Sequence, residues 1–247
     1  QARSLYAELT RNLATRSNPE GGAMGAVVER FISTAMQAAK DNDSNIPAEM
    51  RRRLASLSEL VGGYDFAHVI EAYWRGFEEG NPDLQAAAVR WLRGEYSTRT
   101  EARQDLGVRT IVDDANVYDQ IKLLSRFIVL AGYSGLYVVI DEAVNLYKLT
   151  NTQARSSNYE QLLRIVNDAL QGSVQHLGFM IAGTPEFLTD TRRGVYSYEA
   201  LQSRLSENRF AGSGLMDYSG PVIRLASLTP WSNNGEIVSF PHFVSPN

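Results

Sequence analysis

Two acids follow directly on an apolar, β-branched run in Leu136-Tyr137-Val138-Val139-Ile140-Asp141-Glu142. Such a run after Gly135 reads as a strand buried on both faces of a sheet. In a parallel α/β sheet, ligands sit beyond the carboxyl ends of the strands, so acids at that end stand where chemistry would take place. The first carboxylate, Asp141, is suited to hold a magnesium ion through water. The second, Glu142, is suited to orient or deprotonate an attacking water. The plainer alternative is a strand whose two acids start a turn or cap a helix. A second apolar run, Leu177–Ala182, ends in Gly183-Thr184-Pro185 and brings the Thr184 hydroxyl to the same mouth. That hydroxyl suits the N-cap of a helix with Pro185 at its first position, a role compatible with a second one at the mouth.

The elements that must position these groups follow from periodicity. Between the two strands, about Asn158–Leu170, a helix is expected with Leu162, Leu163, Ile165, Val166 and Leu170 on its buried side. Strand, crossover helix and strand make a βαβ unit of a parallel sheet. Another helix near Tyr198–Leu205 leads to an expected third strand at Val222–Leu225. Ahead of Gly135 the chain reads as helices. One repeats Leu5, Leu9 and Leu13; the next carries Val27, Val28, Phe31, Ile32, Ala35 and Met36; a third carries Leu54, Leu57, Leu60 and Val61. Further stripes run from Phe66 to Phe77, from Leu84 to Leu92 and from Val117 to Ala131, and their aromatics read as core. The polar stretch Ser97–Asp105 reads as loop.

Composition bounds what this can be. The chain has 247 residues, 44% hydrophobic and 21% charged, long enough for a large α/β domain or a domain with a helical subdomain. A net charge of −4 disfavours a chain built mainly to grip nucleic acid, so DNA remains a partner that the charge does not support. Arg51-Arg52-Arg53 and Arg192-Arg193 read as solvated helix or loop charges, with a phosphate or DNA contact as the alternative. There is no cysteine, no basic leader ahead of an apolar stretch and no run approaching the roughly 20 apolar residues of a membrane span, which points to the cytoplasm and away from the membrane. His68, His176 and His242 lack metal-ligand spacing.

Gly63-Tyr64-Asp65-Phe66, the Tyr73-Trp74 helix, Val138–Ala143 and Ile181–Phe187 together resemble the ATP-binding proteins of bacteriophage exclusion (BREX) defence loci, over about Gln1–Pro230. The acid pair matches the Walker B arrangement, and Thr184 the sensor position of AAA+ ATPases. Gln202-Ser203-Arg204-Leu205 and Arg209-Phe210 resemble the Ser-Arg segment of the origin-recognition and STAND branches, in which an arginine reaches a neighbouring subunit's nucleotide. A surface or ion-paired arginine is the alternative for Arg204. The resemblance implies an α/β, three-layer P-loop NTPase core with a large helical insertion, ATP and Mg²⁺ as cofactors, and ATP hydrolysis in a multi-protein antiphage system. It also implies self-association and contacts with other defence proteins. Residues 1–133 would be the helical insertion, 134–230 the ATPase core and 231–247 an atypical tail.

One part of that core is missing from the sequence. A phosphate loop needs G-x-x-x-x-G-K followed by Ser or Thr, and none of Lys40, Lys122 and Lys148 stands in that setting. The chain is therefore expected to be the C-terminal part of such a protein, inactive alone, with loop and first strand upstream of Gln1. Loss of that strand would leave sheet edges open, to be covered by residues 236–243 or a second copy. The alternative from another class is a non-catalytic helical interaction module with a structural acid pair.

Overall fold

The computed structural model describes residues 2–205 and 220–223. Seven helices precede the first strand: α1 (Ala2–Arg11), α2 (Met24–Asp41), α3 (Ile46–Leu54), α4 (Gly63–Glu78), α5 (Pro82–Leu92), α6 (Arg99–Leu106) and α7 (Val117–Leu130). Then follow β1 (Leu136–Ile140), α8 (Val144–Lys148), α9 (Thr152–Gln171), β2 (Leu177–Ile181), α10 (Pro185–Thr189) and α11 (Glu199–Arg204). Their starts are written locally. Asn45, Asn81 and Asn151 each accept the N–H three residues on, at 2.8, 3.1 and 3.0 Å, and so satisfy a donor the helix itself cannot.

The α6 helix corrects the expected loop at Ser97–Asp105. Thr98 caps it by accepting the Glu101 N–H at 3.2 Å, and Gly107 closes it in the left-handed region at φ 74°. Ala102 and Leu106 supply its buried face. In α1 the expected Leu5, Leu9 and Leu13 stripe buries in part: Leu13, just beyond the helix, is buried and Leu9 packs against the core. Leu5 is exposed, whereas Tyr6 and Thr10 are buried, their hydroxyls donating to the carbonyls of Leu92 at 3.0 Å and Arg93 at 3.2 Å. The faces of α2, α4, α5 and α7 bury as expected apart from Met36 and Phe77, which are exposed; α3 ends at Leu54, and Leu60 and Val61, expected on the same helix, lie in the turn that follows, with Val61 exposed.

The core is aromatic at its centre, with Phe127 packed between Phe31 and Phe66 at 5.2 and 5.4 Å and Phe66 edge-on to Trp91 at 6.0 Å. The Gly63–Phe66 segment is structural. Asp65, 7% exposed, accepts the Arg109 and Thr110 N–H groups at 3.0 and 2.8 Å and the Thr110 hydroxyl at 2.6 Å. Replacing Asp65 with Ala orphans both backbone donors. A loss of about 3–5 kcal/mol is expected in denaturant titration, since each orphaned donor costs roughly 1–3 kcal/mol. A loss below about 1 kcal/mol would mean that water replaces the carboxylate without penalty.

β1 and β2 pair in parallel, from Leu136 opposite Leu177 to Ile140 opposite Ile181, and α9 crosses between them. Leu136 and Val138 bury into the helical core, with Ile140, Leu177 and Phe179 packed against it. The other face is bare: Tyr137 is 62%, Val139 61% and Met180 52% exposed. This corrects the reading of β1 as buried on both sides. Among the described residues there are two layers, helices and a two-stranded sheet, in place of the expected three. Leu170, placed on the buried side of α9 by its sequence, is also exposed. Val222 and Ile223, where a third strand was expected, are described and are not in a strand; Leu225 and residues 236–243 lie outside the described residues.

Leu136 and Val138 of the first strand belong to the same core cluster as the helices before it. The compact units are Gln1–Gln202 and Ser203–Asn247. Among the described residues no helix is long and apolar enough to cross a membrane.

Candidate functional site

Parallel pairing sets the carboxyl ends of β1 and β2 side by side, and the ladder continues beyond them. The Ala182 N–H donates to the Ile140 carbonyl at 2.8 Å, and the Ala143 N–H donates to the Ala182 carbonyl at 2.9 Å. Asp141 and Glu142 therefore occupy the turn before α8, and Thr184 the turn before α10, at one end of the sheet. All three are exposed. Asp141 Oδ1 accepts the Glu142 N–H at 2.7 Å, and Glu142 Oε2 accepts Asn145 Nδ2 at 3.4 Å. Glu142 has φ 53°, a left-handed backbone that costs a side-chain-bearing residue roughly 1–2 kcal/mol.

Thr184 does precede Pro185 at the start of α10, but its side chain makes no cap hydrogen bond to the helix. Its hydroxyl pairs with the Glu186 carboxylate instead. That carboxyl is held below the usual carboxylate range, first by its own backbone N–H and then by Thr184. An acid in the first turn after Thr184-Pro185 was the sequence signal for this contact. As to metal, Asp141 offers the hard oxygen donor that Mg²⁺ prefers, and this ion takes one or two carboxylates beside water and phosphate oxygens. Among the described residues no three metal-ligating side chains gather to hold an ion by themselves.

A latch that sequence reasoning missed holds the two turns together. Tyr147 of α8 donates to Asp190 Oδ2 at 2.9 Å, just beyond α10. Asp190 Oδ1 accepts the backbone N–H groups of Arg192 and Arg193 at 2.7 and 3.1 Å. The Arg192 N–H and then the Tyr147 hydroxyl hold the Asp190 carboxyl low. Ala143, Tyr159, Phe187, Val195 and Leu201, on the elements around this contact, are each buried. Gly194 is required there, since a Cβ would come within 2.7 Å of the carbonyls of Asp190, Glu186 and Phe187.

The structure thus brings Asp141, Glu142 and Thr184 together. Arg204 ends α11 in the second compact unit, where its Nη1 donates to Ser203 Oγ at 3.5 Å; Arg209 lies outside the described residues. A shallow groove of about 490 Å³, lined by Glu29, Tyr73, Gln85, Arg90, Arg93 and Glu95, includes none of these residues. The Arg51–Arg53 cluster is tied down by Glu49, to which Arg52 and Arg53 ion-pair at 2.7 and 3.2 Å.

The sequence family described as BREX system ATP-binding protein BrxC/D matches residues 1–233. The chain belongs to this family. Membership in the BREX ATP-binding family makes it an ATP-binding type of protein from an antiphage system, so nucleotide is the ligand class against which the acid pair is to be judged. No curated protein and no solved structure matches the chain.

Proposed function

We propose that this BREX protein carries the acid-pair and sensor segments of an AAA+/STAND-like ATPase whose phosphate loop is not among residues 1–247. One observation carries the reading: the register of β1 on β2 sets Asp141, Glu142 and Thr184 at the carboxyl ends of adjacent parallel strands. Glu142 adds support: it holds a left-handed turn that Gly or Asn would take at lower cost, the kind of local strain that gathers at functional sites. In this reading Asp141 holds Mg²⁺, which supplies charge neutralisation at the phosphates. Glu142 orients the attacking water and accepts its proton. Thr184 exchanges its contact with Glu186 for the terminal phosphate. Arg204 acts across a subunit boundary, which makes self-association part of the proposal. The remaining sheet strands and third layer of a P-loop core would then cover the bare face of β1 and β2.

In the full-length protein, Glu142→Gln is expected to keep ATP binding while turnover falls roughly 10²–10⁴-fold, the usual effect of losing a positioned base. The 247-residue chain alone is expected to give no micromolar, magnesium-dependent ATP binding in calorimetry, because counter-charge without backbone donors holds phosphates poorly. Unchanged turnover in Glu142→Gln would overturn the assignment. It would favour a second reading, an interaction module, which the local pairing of Asp141 with the Glu142 N–H and of Thr184 with Glu186 also supports.

A further inference from the structure

Two arginines converge on one carbonyl behind the acid-pair turn. Arg155 Nη1 donates to the Leu149 carbonyl at 2.6 Å, and Arg193 Nη2 donates to the same oxygen at 3.1 Å. The two guanidinium groups therefore lie within one acceptor's reach of each other. Arg155 is only 8% exposed. Among the described residues neither guanidinium is ion-paired with a carboxylate. Asp190, close by in sequence to Arg193, spends its oxygens on two backbone N–H groups and the Tyr147 hydroxyl.

Each part of this arrangement is unfavourable for an empty chain. Two like charges at short range repel, and partial burial weakens the screening by water. Arg155 stands in the first turns of α9, whose N-cap is Asn151, and a cation there opposes the helix dipole. Arg193 Nε is buried with no hydrogen-bond partner, although a guanidinium N–H without an acceptor is costly. The group is also well fixed: the Tyr159 hydroxyl donates to the Arg193 carbonyl at 2.7 Å, and the Arg193 guanidinium lies 5.5 Å from the Tyr147 ring centre. A tetrahedral oxyanion held by the outer nitrogens of the two guanidinium groups would neutralise the pair and match the helix N-terminus, and the planar fork of arginine suits phosphate oxygens.

We propose that Arg155 and Arg193 form a phosphate-binding subsite, distinct from Asp141, Glu142 and Thr184, that takes the phosphate group of a free or nucleotide-borne ligand. It needs no hydrolysis by the acid pair, and the test separates the two. Inorganic phosphate is titrated against the 247-residue chain without magnesium and followed by thermal shift and calorimetry, beside chloride at equal ionic strength. The expected result is a saturable phosphate-dependent rise in Tm that chloride does not give. Arg193→Gln should weaken phosphate binding at least about tenfold, as loss of a charge-assisted fork would, whereas Glu142→Gln should leave it unchanged. Arg193→Lys keeps the charge and loses the fork, so it serves if the Gln variant does not fold and should also bind less tightly. ATP that competes for the Arg193-dependent binding identifies a nucleotide phosphate as the occupant; ATP that does not compete identifies free phosphate. Equal effects of phosphate and chloride, or a folded Arg193 variant that binds phosphate as the wild type does, would overturn the proposal.

Discussion

Mixing full-length Arg204→Ala with full-length Glu142→Gln is expected to restore part of an ATPase activity that each variant has lost alone. Glu142 would act on water within its own subunit, at the end of β1. Arg204 lies in the second compact unit, beyond Ser203, and would act on a neighbour's nucleotide. A guanidinium supplied in trans offsets charge on the transferring phosphoryl group, an effect of roughly 10³–10⁵ in rate in related chemistry. A mixed interface pairs an intact Glu142 from one variant with an intact Arg204 from the other, so activity should peak near equal mixing. Steady-state turnover against mixing ratio reads this directly. If Arg204→Ala alone hydrolyses ATP at the wild-type rate, its role is structural and Arg209 becomes the candidate; if neither arginine matters, the intersubunit mechanism falls.

Gly63→Ala should abolish cooperative folding. Gly63 opens α4 against the preceding turn, and a Cβ there would come within 1.7 Å of the Leu57 carbonyl oxygen. No side chain can move aside to relieve that contact, because the obstacle is backbone. A loss beyond about 4–5 kcal/mol is expected, at the extreme of what point substitutions do. Gly25→Ala is the matched control, since nothing lies within 4 Å of a Cβ there and the helix α2 should gain up to about 1 kcal/mol. Thermal unfolding followed by circular dichroism separates the two, and a Gly63→Ala protein that melts like the wild type would show that α4 can shift away from Leu57.

The sequence carried the strand limits at Leu136–Ile140 and the crossover helix because apolar periodicity is a property of each segment. Whether both faces of a strand are covered is a property of what packs on it, and the run Leu136–Ile140 reads the same in either case. The exposure of Tyr137 and Val139 is therefore not legible in that run. The α6 helix was missed for a different reason: Arg99, Glu101, Arg103 and Asp105 swamp the composition, while the signals that decide it are Thr98 and Gly107 at its ends. At the candidate site, acids at a strand terminus are legible in one dimension. The Tyr147–Asp190 contact and the meeting of Arg155 with Arg193 are made only when α8, α9 and the turn after α10 fold together, and no spacing announces them.

The bare side of the strand pair has a consequence for sequence drift. Tyr137, Val139 and Met180 contribute little burial to this chain, so exchanging them for Thr, Lys or Gln would leave its own folding nearly untouched. Selection on this domain alone would let those three positions wander while Val138 and Phe127 stayed fixed. Persistence of large apolar residues at 137, 139 and 180 across the family would then be a trace of whatever lies over them in the living assembly, recorded in substitution rates where the fold itself imposes no constraint.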